Sequence, residues 1–248
     1  MGKVLKFIGF GLAAVLILFL ALTAYFVYQT YQLKEETFRS GYTYEIHIGT
    51  NKTLFNVTLF LPLPAGEIAD ELSAGNVYNP ENWSFEIVDT EYGKMLKIRA
   101  DEIHPRYPPE FRPIPVEPGK ESPKVENVPY HENMLKISAK SSREINTKDP
   151  IGNEPLLLPK YGLVEVECIP SCSNCDKCYS YETVIYANYN ATPSTTVEIT
   201  IRLEGTNSWW AYGWSFNEYR DYIYVSLSGE HHCWISASGY IVAGDGIY

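Results

Sequence analysis

The chain has 248 residues, a formal charge of −10 and 45% hydrophobic residues. A chain of this length and apolar content buries a core in one or two domains and is not a disordered polymer. Twenty Lys and Arg against thirty Asp and Glu argue against nucleic acid as the main partner, because a phosphate backbone needs a basic surface.

The apolar residues are unevenly spread. Phe7 to Tyr28 is a run of 22 residues with no charge. As a helix it is about 33 Å long, enough to cross a bilayer core. Lys3 and Lys6 precede it, whereas Lys34, Glu35, Glu36 and Arg39 after it sum to zero. The positive-inside rule then places the N-terminus in the cytoplasm and the remainder outside. Tyr25, Tyr28 and Tyr31 recur near the outer end, as an interfacial belt does. A cleaved signal peptide fits less well: the run is too long, and Leu22 is a poor −3 residue for cleavage after Ala24. The expected division is an anchor over 1–33, a juxtamembrane linker over 34–41 and an exported domain over 42–248. Residues 1–33 hold two lysines and no acid, so the exported remainder carries −12.

From Tyr42 the hydrophobic period is two. Tyr42, Tyr44, Ile46 and Ile48 form one alternating run. Phe55, Val57, Leu59 and Leu61 form a second after a turn at Asn51-Lys52, ended by Pro62 and Pro64. The two are expected to pair as a hairpin. Trp83, Phe85 and Ile87 are expected to pair with Leu96, Ile98 and Ala100 across a turn at Thr90–Gly93. A short echo links Met95–Ala100 to Met134–Ala139, read as two similar amphipathic strands. Between them, residues 105–129 hold eight of the sixteen prolines and are expected to form a long surface loop.

The last third is the most strand-like. Val164 and Val166, then Tyr179, Tyr181, Ile185 and Tyr189, then Val197 to Leu203, then Ile223 to Leu227, and finally Ile235, Ala237 and Ile241 all alternate with polar residues. With 20 tyrosines and no helical pattern beyond the anchor, the expected fold is an all-β antiparallel sandwich carrying one N-terminal transmembrane helix.

Four N-x-S/T sequons, at Asn51, Asn56, Asn82 and Asn190, all lie outside the anchor and mark candidate glycosylation sites. Four cysteines fall within eleven residues: Cys168, Cys172, Cys175 and Cys178. Outside the cell, disulfides Cys168–Cys178 and Cys172–Cys175 are the first reading, and closing the larger loop contributes about 2–3 kcal/mol. The fifth, Cys233, is then left over or pairs with a cluster member, in phase with Ile235 and Ala237 on the core side. A metal site, zinc or an iron–sulfur cluster, is the second reading, with His231 or His232 completing it. Reduced thiols are the third.

Four of five tryptophans lie in 209–234. Trp209, Trp210, Tyr212 and Trp214 are candidates for a surface that binds sugar rings or protein. Tyr222 and Tyr224 lie on the phase opposite to Ile223 and Val225. There is no G-x-S-x-G, H-E-x-x-H, P-loop or GxGxxG, so no catalytic residues are assigned; Glu230, His231, His232 and Asp245 are the titratable groups that a site could draw on.

The segments Asn56–Pro64, Tyr219–Tyr222 and Gly239–Gly246 resemble those of uncharacterised archaeal single-pass surface proteins. That resemblance implies an anchored extracellular β domain and carries over no function. The expected function is therefore a structural, adhesive or binding role in a cell envelope, with the membrane, and envelope proteins or glycans, as partners. A membrane-bound metal or redox protein and an extracellular hydrolase are the alternatives.

Overall fold

The structure, a computed structural model, describes residues 2–107, 133–168 and 175–248. Most of the Pro-rich segment 105–129, and Cys172, lie outside the described residues. Helix α1 (Gly2–Thr37) passes through a single residue, Phe38, into β1 (Arg39–Thr50). Its stretch Val15–Thr37 is long and apolar enough to cross a membrane, and every side chain from Val15 to Tyr28 is exposed. Segment 34–41 is thus helix as far as Thr37 and strand from Arg39.

The remaining elements are β2 (Leu54–Pro64), α2 (Glu67–Ala74), β3 (Val77–Tyr78), β4 (Ser84–Thr90), β5 (Gly93–Ile103), β6 (Asn133–Ser141), β7 (Leu157–Leu158), β8 (Tyr161–Val166), β9 (Lys177–Asn190), β10 (Thr196–Trp210), β11 (Trp214–Ser228) and β12 (His231–Gly246). Every strand pairing is antiparallel, and the domain is all-β except for the short α2. The strands form one curled sheet in the order β3-β6-β1-β10-β11-β12-β9-β2-β5-β4, with β7 on β2 and β8 on β9.

The curl makes two facing halves. β11 joins β12 only where Asn217–Ile223 meets Gly239–Gly246. Beyond that seam Tyr224–Ser228 stays with β10, and His231–Ser238 stays with β9. The inward side chains of both halves, among them Tyr44, Ile46, Leu59, Leu61, Ile185, Ile199 and Ile201, make one continuous core. Each such aliphatic side chain, fully buried, contributes about 1.5–3 kcal/mol. Across this core Tyr44 Oη donates to the Pro62 carbonyl at 2.7 Å, linking strands far apart in the sheet order.

Three expectations change. β1 and β2 do not pair: β1 lies between β6 and β10, and β2 between β9 and β5. Residues 51–53 carry the chain from one half to the other, so the core lies between the two strands. Phe55 is exposed rather than inward, because Asn56, at φ 52, sits where the β2–β9 register shifts. The extra residue flips the phase, so that Leu54 and Val57 both point inward. A helix beyond α1 also exists. Ile68 and Leu72 of α2, four residues apart, bury against the sheet, and Gly75 ends the helix in the left-handed conformation (φ 79). That spacing and that glycine are the signals that mark α2 in the sequence. The β4–β5 hairpin forms as expected, with Thr90 opposite Gly93. The two echo segments fall on β5 and β6, which flank β2 and β1 at corresponding places in the two halves.

Polar side chains fix the chain between β6 and β8 to this frame. Asp221, fully buried on β11, accepts from Leu157 N (2.8 Å), Lys160 Nζ (3.0 Å) and Tyr181 Oη (2.6 Å). Burial pushes the Asp221 carboxyl above its ordinary range, and burial also brings the Lys160 ammonium down to about 8. Two glycines make room: Tyr219 covers Gly205 opposite it, and Tyr181 covers Gly239 opposite it, each where a Cβ has no space. Glu154 accepts from Arg143, Tyr42 and the Asn146 amide. Burial alone raises its pKa, but these donors outweigh burial and hold it below 4.5.

Asp221→Ala leaves Lys160 buried without its counter-ion and should cost about 3–5 kcal/mol in thermal or chemical denaturation of the full chain in detergent. Asp89→Ala, which removes the exposed partner of Lys94, should cost under about 1 kcal/mol. Because the folded-state pKa of Glu154 is depressed, its contribution is present above pH 4.5 and is lost as pH falls through the folded value. The acid-side slope of stability against pH should therefore flatten in Glu154→Gln.

Candidate functional site

The tryptophan-rich segment is the hairpin between β10 and β11. Its turn is Ala211–Gly213, closed by Ala211 N donating to the Gly213 carbonyl, with Tyr212 at φ 58. Trp210 and Trp214 are register partners, and their rings meet edge to face at 5.7 Å. Trp210 is 39% exposed, Phe216 46%, Tyr212 63% and Trp214 64%. Trp209 is the exception among the expected surface residues: it is buried, because strand alternation turns it inward. Phe38 stacks on it and Lys34 Nζ lies 4.4 Å from its ring centre. Trp209 therefore joins α1 to the domain and is not part of a contact face. Thr37 Oγ1 accepts from Trp210 N at 2.8 Å. Trp234 lies apart, half-buried among Phe60, Tyr92 and Tyr186. Tyr224 is exposed and Tyr222 half-buried beside Tyr240, as their phase requires.

Cys168 and Cys178 are joined by a disulfide, Cα to Cα 5.2 Å, across the base of the β8–β9 connection. Cys175 is also disulfide-bonded. Bridged sulfurs offer no thiolate to a metal. Among the described residues no group of three or more His, Cys, Asp and Glu could hold a metal ion. His231, His232 and Cys233 are also far from the cluster. On the β9–β12 ladder Cys233 faces Ala187, whereas Cys178 faces Val242. Nine residues of strand, about 30 Å, separate the two places.

Cys233 is exposed, although it shares the phase of the core residue Ala237. At Cys233, β12 is paired with β9 and no longer with β11, so one side of the strand is an open edge. His232 Nδ1 lies 2.5 Å from Asn188 Oδ1, and the two adjacent histidines point to opposite sides of the strand. Asp245 pairs with Arg220 near the other end of β12, so it and the histidines do not form one site. Three surface recesses among the described residues include an apolar one of about 390 Å³ between Leu63–Gly66, Tyr92–Lys94 and Leu158–Pro159. The others are lined by Arg39, Lys140 and Arg143, and by Asn56, Arg99 and Asp101. None of the three brings together two carboxylates or a serine with a histidine.

The sequons lie at the opposite end of the domain from the aromatic hairpin. Asn56, Asn82 and Asn190 are exposed. Asn51 is half-buried and engaged on both sides of its amide, donating to the Ser194 carbonyl at 3.3 Å and accepting from Thr196 N at 2.9 Å.

No family model, curated protein or solved structure matches the chain.

In native, unreduced protein a maleimide should label Cys233 and leave Cys168 and Cys178 unlabelled until reductant is added. Peptide mapping reads this directly, and labelling of Cys178 without reductant would contradict the bridge.

Proposed function

We propose that the chain is a single-pass, N-terminally anchored surface protein of the class that its archaeal-type segments resemble. Its all-β domain would then be a structural or binding module of a cell envelope, in contact with envelope proteins or glycans. The observation that carries this reading is the direct passage of an exposed apolar helix into the first strand, secured by the Thr37–Trp210 hydrogen bond and the Phe38–Trp209 stack. A rigid joint of this kind suits a domain that is held at a fixed place above a membrane. The Cys168–Cys178 bridge suits an oxidising compartment, and the acidic exterior suits solubility there. The segment with Lys3 and Lys6 is then cytoplasmic, and the β domain is outside.

Alkaline carbonate should fail to release the full chain from membranes, and protease added to intact cells should digest the domain. Release by carbonate, or protection of the domain in intact cells, overturns the reading. In a host that attaches N-glycans, Asn56, Asn82 and Asn190 should be occupied. Asn51 should be the poorest acceptor, because its amide is tied to the loop beside it; single Asn→Gln variants and a glycosidase shift measure this.

A further inference from the structure

We propose that the tip of the β10–β11 hairpin is a second membrane contact, seated in the interfacial layer beside the anchor helix. The inference rests on the anchored reading above and adds a surface that the helix alone does not imply.

The argument begins with chain direction. β1 leaves the helix at Arg39 and runs away from it, and β10 is antiparallel to β1 with Ser208 opposite Arg39. Residues after Ser208 therefore run back past the start of the domain toward the helix. The Thr37–Trp210 hydrogen bond and the position of Lys34 over the Trp209 ring show that they do. The turn Ala211–Gly213 is thus carried along the last helical turns, on the membrane side of the domain. Thr37 lies six residues beyond Tyr31, about 9 Å of helix. One or two further strand residues plus an indole side chain cover most of that height.

Composition agrees with position. Trp210, Tyr212, Trp214 and Phe216 are all exposed, and Ile247, whose N–H donates to the Phe216 carbonyl, adds a further exposed apolar side chain to the same edge. A contiguous exposed aromatic patch is costly in water and marks a contact site. Trp and Tyr are the residues that partition to the headgroup layer, because their rings are apolar and their polar tips stay wet. The exposed Tyr25, Tyr28 and Tyr31 on α1 form a belt of the same chemistry on the element next to it. A sugar-binding face has no reason to sit against the last turns of an apolar helix. The candidate glycan acceptors Asn56, Asn82 and Asn190 lie at the far end of the domain, where no bilayer interferes.

The test is tryptophan quenching in full-length protein reconstituted into phosphatidylcholine vesicles, with bromine at defined acyl depths. Shallow bromine should quench more than deep bromine. In Trp210→Phe/Trp214→Phe, which keeps ring packing and leaves α1 intact, fractional quenching should fall by more than half. Carbonate resistance and the thermal unfolding midpoint should be unchanged. Retention in the membrane with no shallow quenching, or with quenching unaltered by the double substitution, overturns the inference alone. Release of the protein by carbonate overturns the anchored reading and this inference with it. A change in emission on adding soluble oligosaccharides, without quenching by lipid, assigns the hairpin to glycan binding instead and also overturns it.

Discussion

The buried Asp221 carboxylate is the constraint around which the domain is arranged. It sits on β11 within the short stretch where β11 pairs with both β10 and β12, which is where the two halves of the sheet are one. Its partners come from two places in the chain: Leu157 and Lys160 in one segment, and Tyr181 on β9. A buried carboxylate without such donors would be strongly disfavoured, so the segment that leads from β6 to β8 must close over it. The same closure brings Pro155 to Tyr219 and Glu154 to Tyr42. The two glycines under Tyr219 and Tyr181 belong to this arrangement, since each ring can reach its partner only by lying flat on a strand that has no side chain there.

Class and local pairing were legible in the sequence, and long-range pairing was not. Period-two alternation marks almost every strand, and the turn at Thr90–Gly93 marks the β4–β5 hairpin, because both signals are local. The link between β1 and β2 looks equally like a hairpin, yet it crosses the core. Alternation shows which face of a strand is buried; it does not show which strand lies beside it. Phe55 went the wrong way because one bulged asparagine resets the phase, and Asn is among the few residues that tolerate the required conformation. Cys233 went the wrong way for a topological reason: its phase is inward, but β11 parts from β12 at that height. The Cys168–Cys178 bridge was legible because two cysteines ten apart flank a strand connection. The role of Asp221 is not legible in the sequence, because one acid in a strand of alternating residues gives no sign that its partners are about sixty and forty residues earlier in the chain.

The parting of β11 from β12 and the aromatic hairpin follow from one geometry. A sheet that curls until its halves face each other must either close or leave the two strands at its fold free to separate. Here they stay together next to the helix and separate away from it. The end near the helix holds the Asp221 network, the Thr147–Asn217–Asn207 hydrogen bonds and the Ile247 amide bonded to Phe216 on β11, whereas at the other end buried Asn133 donates to the Ile48 and His104 carbonyls. The far end is built of connections between the halves, at residues 51–53, 191–195 and 229–230, together with the sequons. On the anchored reading proposed above, the aromatic hairpin extends the helix-side end of the domain toward the bilayer, and the sequons occupy the other end.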